Sequence, residues 1–179
     1  MFHPESRLAD LLSAPMRPGR VEWIGLRPAR RAALVEVERA TVEPGQGLVG
    51  DRYASSDQGR RQVTLIQAEH LAAIASYLGL AAVSPQVLRR NLVTCGINLQ
   101  ALKGKRFRIG DALFEHTGDC HPCSRMEEVL GVGGYNAVRG HGGITARVLQ
   151  GGTVAVGDEL RVEPELPAPA APQQQRMPF

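Results

Sequence analysis

Between residues 91 and 162 the chain is written almost entirely in short β-rich runs punctuated by glycine, and that rhythm restricts the fold more than any other feature. Asn91–Cys95, Arg106–Ile109, Ala112–His116, Ile144–Leu149, Thr153–Val156 and Glu159–Val162 are separated by turns such as Ile109-Gly110-Asp111 and Val156-Gly157-Asp158. Many short strands at close, regular spacing read as a sandwich or a closed barrel. A barrel is the better solution, because it leaves fewer strand edges to pair with other chains. The expected fold class is mostly β with a few α-helices, arranged as a closed β-barrel.

The upstream half adds strands and the helices. Val21 and Trp23 alternate with Glu22, and Leu34-Val35 and Val37 with Glu36 and Glu38, which predicts two antiparallel strands with one wet face. Residues 43–62 form a long Gly-rich, charged, aperiodic loop of the kind that is functional or disordered. Gln62–Ile66 reads as a short buried strand. Gln67–Leu78 reads as a helix, with Leu71, Ile74, Ala75 and Leu78 on one face and Gly79 as its stop. Ser84-Pro85 opens a second short helix. Residues 1–19 read as a helix carrying Leu8, Leu11 and Leu12, followed by a connector, and are expected to pack on the barrel; 20–163 form the barrel domain, and 164–179 a disordered Pro/Ala/Gln-rich tail.

A length of 179 residues and 43% apolar composition allow one domain with a real core. The net charge is only +3, the basic residues are scattered apart from Arg27, Arg30, Arg31 and Lys103, Lys105, Arg106, Arg108, and aromatic residues make up 4%. That set is too thin for a nucleic-acid surface. The amino terminus, with Glu5 and Asp10, reads as neither a signal peptide nor a membrane span, so the expected location is the cytoplasm, without membrane partners. In that reducing compartment Cys95, Cys120 and Cys123 are read as reactive or metal-binding rather than bridged.

The segment Glu115–Leu130, EHTGDCHPCSRMEEVL, carries the chemistry. A strand runs into Thr117-Gly118-Asp119, then Cys120-His121-Pro122-Cys123, then a helical stretch from Ser124. If Pro122 marks the first helical turn, the Cys123 thiol lies at a helix N-terminus, where backbone N–H groups and the dipole favour the thiolate. Three uses compete. A structural zinc site would draw on Cys120, Cys123 and Cys95 with His116 or His121, but a second C-x-x-C or H-x-x-x-H pair is absent. A redox dithiol fits the C-x-x-C locally, yet the motif comes late in the chain and without a downstream facing proline. The third use is a single essential thiol, Cys123.

Three ordered segments weigh toward the third. Gly50-Asp51 in GLVGDRY, the stretch RRNLVTCGINLQALKGKRFRIGDALFEHTGDCHPC, and RGHGGITARVLQGGTVAVGDEL at residues 139–160 together resemble a MOSC domain, the type named for the carboxy-terminal domain of molybdenum cofactor sulfurases. The resemblance runs from about Val21 to Val162 and implies a β-barrel. It also implies that Cys123 is the characteristic cysteine, either ligating the metal of a bound molybdenum cofactor (molybdopterin) or carrying a persulfide. In the first case members reduce small N-hydroxylated compounds with electrons from a partner protein; in the second the sulfur donor is a cysteine desulfurase. A non-catalytic molybdate- or pterin-binding module is a further alternative, and pyridoxal phosphate is not expected in this chain. Where many members have His after Gly-Asp-Arg, this chain has Tyr53.

An anionic pterin phosphate needs cations and backbone donors. The residues expected to supply them are Arg52, Arg60, Arg61, Arg90, Asn91, Arg139, His141 and Gly142, with Cys123 as catalytic thiol and metal ligand. Gly133-Gly134 and the Gly140-His141-Gly142-Gly143 turn are expected to bring backbone N–H groups near phosphate. His116, His121 and His141 are candidate proton donors.

Overall fold

The structure is a computed structural model, and it describes residues 7–53 and 59–164. Seven strands close on themselves: β1 (Gly19–Leu26), β6 (Leu92–Cys95), β5 (Val63–Gln67), β9 (Ile144–Gln150), β8 (Ala112–Asp119), β7 (Arg106–Ile109) and β11 (Glu159–Val162), with β11 pairing back onto β1. The barrel anticipated from the strand rhythm is therefore the barrel found. All these pairings are antiparallel except β5 with β6. That parallel pair requires a crossover, which α2 (Ala68–Leu78) and α3 (Pro85–Leu88) provide.

A three-stranded sheet accompanies the barrel: β10 (Gly152–Ala155), β3 (Arg39–Glu43) and β4 (Gly47–Leu48). The strand expected at residues 34–38 shrinks to β2 (Val35–Glu36), exposed on both residues and paired only to the end of β1. Conversely, the loop expected over 43–62 begins with a hairpin, β3 to β4.

Two cores form because the wall at β1, β5 and β6 is apolar on both faces. Inside the barrel, Val21, Ile24, Leu65, Leu92, Ile144 and Leu160 pack around Phe107 and Phe114, whose rings stack with centroids 5.5 Å apart. Outside, Trp23, Ile66 and Val93 meet Ile74 of α2, Leu88 of α3, Met126 of α4 (Arg125–Leu130) and Val138 of α5 (Gly134–Val138). This second core fixes the helices that flank the Cys120–Cys123 turn.

The amino-terminal helix α1 (Arg7–Ser13) forms as expected but buries none of its residues. It is held by Lys105 Nζ donating to the Leu12 carbonyl at 2.5 Å, while Met16 in the connector packs on the core. Its leucines stay exposed, a correction to the packing role expected for them. The tail expected at 164–179 lies outside the described residues apart from Pro164.

Strand β8 extends three residues beyond the expected run, through Thr117-Gly118-Asp119. Gly118 and Asp119 pair with Thr145 and Ile144 of β9 across a register shift between His116 and Gly118. A bulge absorbs one unpaired residue, Thr117, and the next residue, Gly118, takes φ 154° as it rejoins the ladder opposite Thr145. The strand thus delivers Cys120 directly at its end.

Candidate functional site

Six arginines line one open cavity of about 310 Å³: Arg27, Arg30, Arg31, Arg52, Arg89 and Arg125. They come from four places, namely the segment after β1, the Gly50-Asp51 turn after β4, the end of α3 and the start of α4. Asp51, whose side chain is 0% exposed, anchors this wall. Its Oδ1 accepts from the Arg27 backbone N–H at 2.6 Å and from Arg27 Nε at 3.0 Å, and its Oδ2 accepts from Nη2 at 2.6 Å. The Arg52 N–H returns the connection to the Arg27 carbonyl at 2.6 Å.

Arg89 takes the left-handed conformation, φ 55°, at the C-cap of α3 and donates to the Ala32 carbonyl at 2.7 Å. Burial, then the charges of Arg125 and Arg27, pull Arg89 below the ordinary guanidinium value. The Arg125 Nε is buried and has no hydrogen-bond partner among the described residues. Like charges crowded around one carboxylate leave an excess of planar donors, the arrangement that receives phosphate or carboxylate bidentately.

Neither thiol lines this cavity; its link to them along the chain is Arg125, two residues beyond Cys123. Cys120 is buried at 8% exposure and its N–H donates to the Gly143 carbonyl at 2.9 Å. Cys123 is exposed, and its carbonyl accepts from Met126 N–H at 2.9 Å. The expected helix start at Pro122 is corrected: α4 begins at Arg125 with Ser124 as N-cap, so Cys123 stands just outside a six-residue helix. Pro122 lies in irregular backbone ahead of it. Cys95 ends β6 opposite Arg20, and its thiol is raised first by a hydrogen bond with Glu22 and then by burial. Among the described residues no three His, Cys, Asp or Glu side chains gather as metal ligands.

Of the residues expected to hold a ligand, three are tied into the protein's own framework. Arg90 is buried and donates from Nε to the Gly142 carbonyl at 2.7 Å, from Nη1 to Leu88 at 2.5 Å and from Nη2 to Cys120 at 3.5 Å. Asn91, fully buried, accepts on Oδ1 from Arg27 and Thr64 and donates from Nδ2 to Gly25. Gly142 is glycine because a Cβ there would fall 2.0 Å from the Cys120 carbonyl. Each of the three makes bonds or close contacts within the protein itself.

Arg52 lies in the arginine cavity. Arg60 and Arg61 are exposed, with the Arg60 carbonyl accepting from Thr117 Oγ1 and the charge of Arg61 felt at Arg90. Arg139, at the end of α5, is exposed and reaches Asn136. Arg27, Arg30, Arg31, Arg89 and Arg125 were missed as site residues. The run Arg27-Pro28-Ala29-Arg30-Arg31 directly after a strand was the legible signal.

His141 belongs to a separate cluster. Its Nε2 is 3.3 Å from Tyr77 Oη, and its ring meets His70 edge-on at 4.6 Å. Burial, then the charge of His141, lower His70 below its ordinary value of 6.5, with Glu69 opposing weakly. His116 is lowered chiefly by burial. Above 6.5 both states of the chain hold these imidazoles neutral; below it the unfolded chain takes up protons first, so stability falls with pH. Melting temperatures between about pH 7.5 and about pH 5 should therefore drop on the acid side, and less steeply in His70→Phe. An unchanged slope in that variant would show that His70 carries none of the linkage.

The chain thus combines a seven-stranded mixed barrel and flanking helices with an exposed cysteine after a bulged strand and six arginines around one open cavity. The chain belongs to the MOSC domain family, whose model matches residues 33–161. The fold is shared with solved structures of low identity. The YuaD protein from Bacillus subtilis superposes with a TM-score of 0.71 at 20% identity, over 82% of this chain and 96% of that one. YiiM from Geobacillus stearothermophilus gives 0.67 at 17% identity, over 82% and 75%. YiiM from Escherichia coli gives 0.62 at 20%, over 80% and 69%. No curated protein matches the chain.

Proposed function

We propose that this chain holds a molybdenum cofactor and reduces small N-hydroxylated compounds with electrons from a partner protein in the cytoplasm. The observation that carries the reading is the arginine cavity together with an exposed cysteine two residues before Arg125, one of its lining residues. The residues present fit the group: Arg27, Arg52, Arg89 and Arg125 are the donors for its phosphate, and the buried, unpartnered Arg125 Nε is a donor in need of an acceptor. Cys123 offers the soft thiolate that molybdenum favours. When bound, the metal centre supplies two-electron removal of oxygen from the substrate. The chain's own part is to neutralise the phosphate, fix the cofactor's orientation and leave Cys123 open to solvent on the side a substrate approaches.

The exposure of Cys123 also supports a second reading, a persulfide carrier loaded by a cysteine desulfurase, because a partner's sulfur must reach this thiol. Elemental analysis of freshly purified protein separates them. The first reading expects molybdenum and pterin together. Replacing outer partners of a bound metal already weakens it about 10–100-fold, so Cys123→Ala should lose at least that. Cyanide-labile sulfur without molybdenum would replace it with the carrier. Pterin retained equally by Cys123→Ser without turnover would leave a binding module.

A further inference from the structure

The turn between β8 and α4 holds two thiols in unlike settings. Cys120 is buried at 8% exposure and its backbone is fixed from both sides: its N–H donates to the Gly143 carbonyl at 2.9 Å, and its own carbonyl receives Arg90 Nη2 at 3.5 Å. The Gly142 backbone passes so close that a Cβ there would meet that carbonyl at 2.0 Å, so the Cys120 main chain is packed tightly against it. Cys123, three residues on, is exposed, and both thiols are free. The backbone from Cys120 to Cys123 is neither helix nor strand, so few main-chain hydrogen bonds resist rearrangement of the exposed end. An accessible thiol beside a sheltered one at C-x-x-C spacing is the arrangement in which one cysteine meets an oxidant and the other resolves it.

We infer that Cys120 is the resolving thiol of a redox switch that takes Cys123 out of service. In the first step the Cys123 thiolate attacks the O–O bond of a hydroperoxide; an S–O bond forms, the peroxide is reduced, and the departing alkoxide or hydroxide takes a proton from water. In the second the Cys120 thiol attacks the Cys123 sulfenic acid; the S–S bond forms, the S–O bond breaks, and water leaves with the thiol proton. Two thiols lose two electrons and the peroxide gains them. The disulfide returns to the dithiol on exchange with an external thiol. Its consequence is that Cys123 is neither ligand nor sulfur acceptor while the bridge stands, and is spared irreversible oxidation to the sulfinic acid. The switch belongs to the protein's own thiols and acts on the state in which Cys123 is not bound to a metal.

The test uses the full chain, treated with hydrogen peroxide at low molar excess, quenched with iodoacetamide and digested with trypsin. Cleavage after Arg108 and Arg125 leaves both cysteines on one peptide, Ile109–Arg125, so the bridge reads as loss of two hydrogens with no alkylation. The expected result is that this species dominates and disappears with dithiothreitol. In Cys120→Ser and Cys120→Ala, dimedone should trap a Cys123 sulfenic acid and the sulfinic product should rise about tenfold. Cys123 going to the sulfinic acid in wild type without the bridge, or at the same rate with and without Cys120, would overturn the inference. The wild-type measurement decides even if a variant folds poorly. Molybdenum is measured on the same sample and the test is read on metal-free protein, in which Cys123 is not a ligand, so failure here is distinguishable from failure of the cofactor reading.

Discussion

Asp51→Ala should cost about 3 kcal/mol of folding stability, because removing one partner of a buried ion pair leaves the other uncompensated. Asp51 satisfies three donors of Arg27 at once, two on the guanidinium and one on the backbone. Arg27 in turn donates from Nη2 to Asn91 Oδ1 at 3.1 Å, tying the end of β1 to the start of β6. Without the carboxylate, the cavity's guanidinium groups repel one another with no fixed anion beneath them. At this chain length a loss of about 3 kcal/mol lowers the melting temperature by roughly 10 °C. Inorganic phosphate should restore part of that loss by occupying the cavity, since a ligand bound only by the folded state stabilises it. Asp51→Asn keeps an acceptor for the backbone N–H but turns a donor or a neutral oxygen toward the guanidinium, so it should recover only part. A melting temperature within about 2 °C of wild type for Asp51→Ala would show that the pair is not holding the wall together.

Arg90→Met should destabilise the chain by about 3 kcal/mol or more, since each buried acceptor left bare costs about 1–3 kcal/mol. Replacing a buried ion pair with methionine is sometimes neutral, because both charges go. Here the partners of Arg90 are backbone carbonyls of Leu88, Gly142 and Cys120, which cannot be deleted with it. Arg90→Lys should fall between, because a point donor on a flexible stem cannot span acceptors arranged around a planar fork. Urea denaturation gives the size of the effect. Alkylation of Cys120 gives its place: losing the guanidinium frees the Cys120 carbonyl, and the buried thiol should react several-fold faster with iodoacetamide while Cys123 is unchanged. Unaltered Cys120 reactivity would detach Arg90 from the geometry of the turn.

Strand existence and turn position are local properties, set by side-chain alternation and by glycines such as Gly79, Gly110 and Gly157 in positive φ. They were legible, and with them the barrel, the helix ending at Gly79 and the exposed cysteine between β8 and α4. Boundaries that depend on partners were not: Thr117-Gly118-Asp119 lies beyond the expected strand, yet β9 draws it into the sheet through a bulge.

The arginines divide along the same line. That the chain carries Arg where Lys would serve is visible in its 21 basic residues, of which only Lys103 and Lys105 are lysine. Which of them share a cavity is not. In Arg89-Arg90 the first turns into the cavity and the second into the protein, because the left-handed backbone at Arg89 sends neighbouring side chains apart and the Cys120 and Gly142 carbonyls lie waiting on one side. The sequence by itself determined the barrel and the thiol. Only closure of β11 onto β1, with helices packed outside β5 and β6, decided which charges converge, since that depends on residues far apart in the chain being brought to one surface.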